Sequence, residues 1–208
     1  MTRRLHPLFH TLWVGAWLVS GLLAGSLLEG CSPADKPAPA GVARPSYKTP
    51  AEQYAALAQM AKGIATGPAT SDYTVYVVFD PQCLHCARLW GESQSLLGTV
   101  RFVWIPVAFF DARNTAPAAA LLGSSNPKDD MDQFAASIMA HAGATPVPEQ
   151  VPPYLDAVVR ANTELVGRFH VLTIPYIVAR NQTSSLYVAH EGGMSKEMLK
   201  NFLGIGSR

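Results

Sequence analysis

Three hydrophobic patterns follow one another along this chain. From Pro7 to Leu28 the run PLFHTLWVGAWLVSGLLAGSLL is apolar almost without a break, and it follows the short basic start MTRRLH. This is the pattern of an export signal rather than of a core helix. Read the other way, the run is about long enough to span a bilayer uncleaved. From Ser32 to Lys48, SPADKPAPAGVARPSYK has no hydrophobic period and is rich in Pro, Ala and Gly, which predicts an extended tether. Beyond it, short apolar runs alternate with amphipathic stretches to the end of the chain.

In TPAEQYAALAQMAKG, Thr49 is placed as a helix cap, Pro50 takes the first helical position and Glu52 completes a capping box. Gly63 reads as the stop. GIATGPATSD then leads to YTVYVVF (73–79), a β-branched and aromatic run that predicts a strand buried on both faces. Asp80-Pro81 breaks it, CLHCARLWGESQSLL continues with helical spacing, and VRFVWIPV (100–107) predicts a second strand. A strand, a helix and a strand in so short a span form a βαβ unit with a parallel pair. From about 114 to 169 come three helical stretches, TAPAAALLGSS, PKDDMDQFAASIMAHAG and PPYLDAVVRANTELVGRF. IPYIVAR and SLYVAH follow as strands joined by the polar NQTS, a hairpin signal. SKEMLKNFLG closes with an amphipathic helix capped by Ser195. The predicted class is α/β, in the order β-α-β, helical insertion, β-β-α, with no internal repeat.

Of 208 residues, 49% are hydrophobic and 15% charged, against about 25% charged in an average soluble domain. Much of the excess lies in the first thirty residues. There the run ends in LLEGC, where Leu28, Gly30 and Cys31 fit a bacterial lipoprotein box, with Glu29 an unusual member of it. Cys31 is the lipidation candidate. Cleavage before it removes two of the sixteen basic residues (Arg3, Arg4) and one of the fifteen acidic ones (Glu29), leaving fourteen of each. A neutral chain without a basic stretch speaks against nucleic acid as a partner. The expected organisation is a signal peptide over 1–30, a tether and linker helix over 31–72, and a folded domain over 73–208 with the helical insertion at about 114–169. By lipid or by helix, the rest of the chain is held at a membrane outside the cytoplasm.

With Cys31 carrying lipid, Cys83 and Cys86 are the remaining thiols of the mature chain. In an oxidising compartment such a pair can cycle or stay closed. As a structural staple it is poor, because the loop it closes constrains little of the unfolded chain. A cysteine between a strand and the first turn of a helix meets unpaired N–H groups and the positive end of the helix dipole, which favour the thiolate. Cys83 is therefore the candidate nucleophile. Cys86, one turn deeper, is placed to resolve a mixed disulfide, and His85 between them to tune the thiolate. Ala87 stands where a c-type haem motif needs histidine, and no second ligand pair completes a zinc site. No metal or other bound cofactor is expected for redox work, although Cu(I) on the two thiolates with His85 stays open as a non-enzymatic alternative.

The strand order, the C-x-x-C opening the first core helix and the later LTIPYIV resemble the thioredoxin fold. More narrowly, VYVVFDPQCLHCARLW, TAPAAALLGSSNPKDDMDQFAAS and NTELVGRFHVLTIPYIVARNQTSSLYVAHEGG resemble the catalytic domain of the DsbC/DsbG family of periplasmic thiol–disulfide interchange proteins, closest to that of DsbG, from about Tyr73 onwards. The resemblance implies disulfide interchange, as reductase or isomerase, on exported proteins with cysteines, with a redox partner in the membrane. It implies that Pro175 is a cis-proline facing the cysteines, that Ile174 offers its backbone to an extended substrate, and that Asp80 either shuttles protons or caps the turn. Ile174 departs from the family's usual threonine, and the histidine of Leu84-His85 is like that of the oxidase DsbA, the alternative activity. The span 31–72 is too short for the family's dimerisation domain, so a tethered monomer is expected.

Overall fold

The computed structural model describes residues 45–141 and 151–206. The signal run, Cys31 and most of the tether lie outside the described residues, as does most of GATPVPEQV. TVYVVF forms strand β2 (Thr74–Phe79) at the centre of the sheet. It pairs in parallel with β3 (Arg101–Pro106) and antiparallel with β4 (Tyr176–Arg180), which carries β5 (Tyr187–Glu191) antiparallel on its outer side. A short strand, β1 (Ile64–Thr66), pairs antiparallel with β3. Among the described residues the strand order is β1-β3-β2-β4-β5.

Side chains alternate across a strand, and the register sorts them into two faces. Val77 lies level with Trp104 and Ile177, and Ile177 with His190. That face is closed by rings from three helices. Trp90 of α2 (Leu84–Ser93) meets Trp104 at 5.2 Å, and Phe134 of α4 (Pro127–Met139) meets Phe79 at 5.5 Å. Phe202 of α6 (Lys196–Leu203) meets His190 at 6.2 Å. The opposite face carries Tyr76, Val78, Ile105, Tyr176 and Val178. Against it lies α1 (Pro50–Met60), whose Tyr54 touches Tyr76 and Tyr187, both at 4.9 Å. Phe169, just after α5 (Pro153–Gly167), lies 6.4 Å from Tyr176. Each fully buried Phe, Leu or Ile contributes about 1.5–3 kcal/mol over an exposed one, so these two faces carry most of the stability.

Among the described residues the insertion between β3 and β4 holds three α-helices, α3 (Thr115–Leu122), α4 and α5, in the stretches where the apolar period predicted them. α3 and α5 share a small core of Ala118, Ala119, Leu155 and Val159. α4 is fastened to α2 by the Trp90 indole N–H, which donates to Asp132 at 2.8 Å. Asp132 in turn pairs with Lys128.

The expected division placed the start of the folded domain at Tyr73 and assigned 31–72 to tether and linker helix. The structure brings α1 and β1 into the same compact unit. Ala56 and Leu57 are in the core, and Gln53 accepts the Tyr176 hydroxyl while donating to the Tyr47 carbonyl. Three residues of strand are too few to display a period of two, which is why β1 escaped the pattern. The capping box forms as read, with Glu52 accepting from the Thr49 N–H at 2.9 Å. Gly63 has a different task. The helix ends at Met60 with Ala61 as its cap, and Gly63 passes against β3, where a Cβ would lie 2.7 Å from the Trp104 carbonyl oxygen. Gly67 has φ +83° and leaves no room against Val100.

These contacts predict opposite outcomes for one substitution at two glycines. Gly63→Ala overpacks the β1–β3 approach and should destabilise by about 1–3 kcal/mol. Gly91→Ala, inside α2 with nothing within 4 Å of the new methyl, should stabilise by about 0.5–1 kcal/mol through the unfolded chain. Urea unfolding of both variants measures the pair.

Candidate functional site

Where β2 ends, the chain turns through Asp80, Pro81 and Gln82 into α2. The Cys83 N–H donates to the Asp80 carbonyl at 2.9 Å, and the Gln82 N–H to the Asp80 Oδ1 at 2.8 Å. This turn leaves Cys83 as the N-cap of α2, with extended φ −87° and ψ 108°. Its Sγ accepts the Cys86 N–H at 3.0 Å. An N-cap side chain is usually an oxygen acceptor. Here sulfur takes that place, so the free N–H groups and positive dipole end of α2 converge on it.

Cys83 and Cys86 are joined as a disulfide, their Cα atoms 5.2 Å apart. Cys86 is fully buried and Cys83 is 3% exposed, so an incoming sulfur meets Cys83. Facing it is the loop before β4. The Ile174–Pro175 peptide bond is cis, as the resemblance implied. The Ile174 carbonyl oxygen lies 3.7 Å from the Cys83 Sγ, the position of an acceptor for the reduced thiol. No described residue takes the Ile174 N–H. The loop's apex stands out of the surface, with Leu172 86% exposed.

Asp80 is fully buried and accepts four N–H groups. Oδ1 takes Gln82 N and the Asn114 side-chain amide, both at 2.8 Å. Oδ2 takes Phe109 N at 2.7 Å and Phe110 N at 3.2 Å. Every partner donates, so the carboxylate works purely as acceptor. Of the two roles open to Asp80, this geometry is that of a turn cap, extended to a clamp on the loop after β3. His85 is exposed, its ring beside Gly193, where a Cβ would lie 3.9 Å from Nδ1.

Two site residues were missed from sequence. Asn114, the last residue of a short 3-10 turn (Ala112–Asn114), completes the Asp80 clamp. Glu191, at the end of β5, accepts the N–H groups of Leu172 and Thr173 on one oxygen, both at 2.9 Å. Neither carries a motif; only the register, which sets Glu191 opposite Tyr176, brings it to the loop. Burial, with the Glu191 charge beside it, pushes the Tyr176 hydroxyl up to about 12, so it stays a donor to Gln53. Among the described residues no cluster of three or more His, Cys, Asp or Glu is placed to hold a metal ion, and no helix is long and apolar enough to cross a membrane.

No family model matches the sequence, and no curated protein does. Solved structures do. The catalytic domain of Proteus mirabilis ScsC superposes with TM-score 0.54 at 16% identity, over 74% of this chain and 93% of that one. A periplasmic thioredoxin-like protein from Salmonella enterica serovar Typhimurium gives 0.54 at 17%, over 73% and 93%. A thioredoxin-like oxidoreductase from Silicibacter pomeroyi DSS-3 gives 0.54 at 18%, over 71% and 94%. The fold is thioredoxin-like. At these identities the likeness is one of fold. Within a thioredoxin-like frame, α3–α5 are the insertion between β3 and β4, and the cysteine turn and cis-proline loop meet at one end of the central strands.

Asp80→Asn tests the clamp. An amide offers one acceptor oxygen where the site presents donors to both, and its NH₂ faces N–H groups. A loss of about 1.5–3 kcal/mol is expected, the range for hydrogen bonds to a charged group, read by denaturant unfolding of the oxidised protein.

Proposed function

We propose that this chain is a periplasmic thiol–disulfide oxidoreductase that acts on exported proteins with cysteines, working as a reductase or isomerase in the manner of DsbG. The observation that carries the reading is the Cys83 sulfur, capping α2 and facing the Ile174 carbonyl of a cis-proline loop. The names of two fold neighbours, one periplasmic and one an oxidoreductase, support it.

In the reducing direction the Cys83 thiolate attacks one sulfur of a substrate disulfide. A Cys83–substrate disulfide forms, and the other substrate sulfur leaves as a thiolate that takes a proton. The Cys86 thiolate then attacks the Cys83 sulfur, expelling the second substrate thiolate and closing Cys83–Cys86. Two electrons pass to the substrate, and a membrane thiol donor restores the dithiol. In isomerisation the substrate's own thiol attacks the mixed disulfide, and the pair ends as it began. The α2 N–H groups stabilise each thiolate stage at Cys83. Ile174 and Pro175 hold the substrate strand, and His85, exposed beside the pair, tunes the sulfur. No bound cofactor takes part.

Cys83→Ser should abolish exchange with a disulfide substrate, while Cys86→Ser should accumulate mixed disulfides visible on a non-reducing gel. Trapping thiols in cells with an alkylating mass tag reads the direction. A mostly reduced pair is expected; a mostly oxidised pair would replace this reading with a DsbA-like oxidase.

Lipidation at Cys31 tethers the domain as a monomer, the segment after it serving as the arm. Cys31→Ala should shift the protein from the membrane fraction to other fractions or to an uncleaved precursor. A variant processed and membrane-bound as before would sink the lipid anchor.

A further inference from the structure

Ile174 and Pro175 seat the cis-proline loop in the core, and the exposed residues just before them are tied down by one side chain. Between Phe169 and Tyr176, His170, Leu172 and Thr173 are exposed while Ile174 and Pro175 are buried, and His170 sits at φ +59°. The N–H groups of Leu172 and Thr173, just before the cis bond, both end on Glu191 Oε2. The next residue, Gly192, donates its N–H to the Pro175 carbonyl at 2.8 Å. The junction from β5 to α6 therefore grips the loop on both sides of the Ile174–Pro175 bond, by a carboxylate before it and an amide after it. The same junction then runs past the cysteine turn. Gly193 leaves the His85 Cβ and carbonyl oxygen 3.7 Å from where its own Cβ would be. The N–H of Lys196 is taken by Glu92 of α2 at 2.8 Å. Six residues thus touch the loop, the C-x-x-C dipeptide and the body of the cysteine helix in turn.

We propose that Glu191 is a positioning residue for exchange: it fixes the docking loop against Cys83, and the Glu191–Lys196 junction transmits that placement to α2. This rests on the oxidoreductase reading above. Hydrogen bonds to a charged acceptor are roughly twice as strong as neutral ones, and two on one oxygen orient two consecutive peptide planes. With both of those N–H groups occupied, the next one along, the Ile174 N–H, is taken by no described residue and is the one left for an incoming strand. Glu191 touches neither sulfur. It acts by preorganising the loop, so its removal falls on docking, and a small thiol that needs no strand pairing serves as the internal reference.

The experiment compares wild type, Glu191→Ala and Glu191→Gln on two probes, an extended peptide with an internal disulfide and glutathione disulfide, each with the reduced protein. For Glu191→Ala, the ratio of peptide to glutathione kcat/KM should fall about tenfold, mostly through the peptide KM, with loss of hydrogen-exchange protection at the Leu172 and Thr173 amides. Glu191→Gln keeps an oxygen acceptor for both N–H groups, neutral and so weaker, and should recover part of the ratio. An unchanged ratio in Glu191→Ala, or equal losses on both probes, overturns the positioning role. So does a Gln variant as impaired as Ala, since it still offers both N–H groups an oxygen acceptor. A wild type inert toward both probes overturns the oxidoreductase reading itself, and this proposal with it.

Discussion

Asp80 is wholly buried between the turn after β2 and the loop after β3, and four N–H groups converge on its two oxygens. A buried carboxylate is tolerable when its lone pairs are taken, and here the takers come from both loops at the active end of the parallel pair. The consequence is positional. With Asp80 fixed, its own carbonyl receives the Cys83 N–H and ends the strand, and Cys83 has to leave the turn as the cap of α2. The direction of α2 then follows from its buried side: Cys86, Ala87, Leu89 and Trp90 face the sheet, with Trp90 seated on Trp104.

That arrangement separates what is rigid from what is open. The far half of α2 is tied to the insertion through Trp90 and Asp132 and to α6 through Glu92. The sulfur of Cys83 therefore stays on the axis of converging N–H groups. A cap that swung by an ångström or two would lose most of its hydrogen bond and with it the stabilisation of a thiolate. By contrast Leu172 on the cis-proline loop, Phe110 on the loop after β3 and His85 beside Cys86 stand exposed, so the exposed side chains are separate from the frame that holds the sulfur.

The sequence made legible whatever depends on a local pattern. Thr49 with Glu52, Ser195, the break at Asp80-Pro81 and the helical spacing of the insertion each act within a turn or two, and each is found where it was read. The cysteine cap was foreseeable for the same reason, because strand, turn and helix lie within a dozen residues. What stayed hidden acts across the fold. Three of the four donors to Asp80 come from 29 to 34 residues away, and Glu191 reaches Leu172 over 19. Those contacts exist only once β2, β3, β4 and β5 are in register. β1 fails differently: three residues carry no period, and Gly63, read as a helix stop, is set by the closeness of β3.

The geometry at Cys83 also bears on how the pair is kept in the cell. N–H groups aimed at a sulfur favour its thiolate, and whatever favours the thiolate favours the dithiol over the disulfide, raising the readiness of the pair to accept electrons. A thiol donor then needs little driving force to reduce the pair. In the reduced pair the nearly buried Cys83 sulfur lies between the N–H groups of α2, which favour the thiolate, and the Ile174 carbonyl, which accepts from the thiol. An easily reduced pair on a fixed cap thus stands beside a loop whose Ile174 N–H no described residue takes, one residue from the cis-proline.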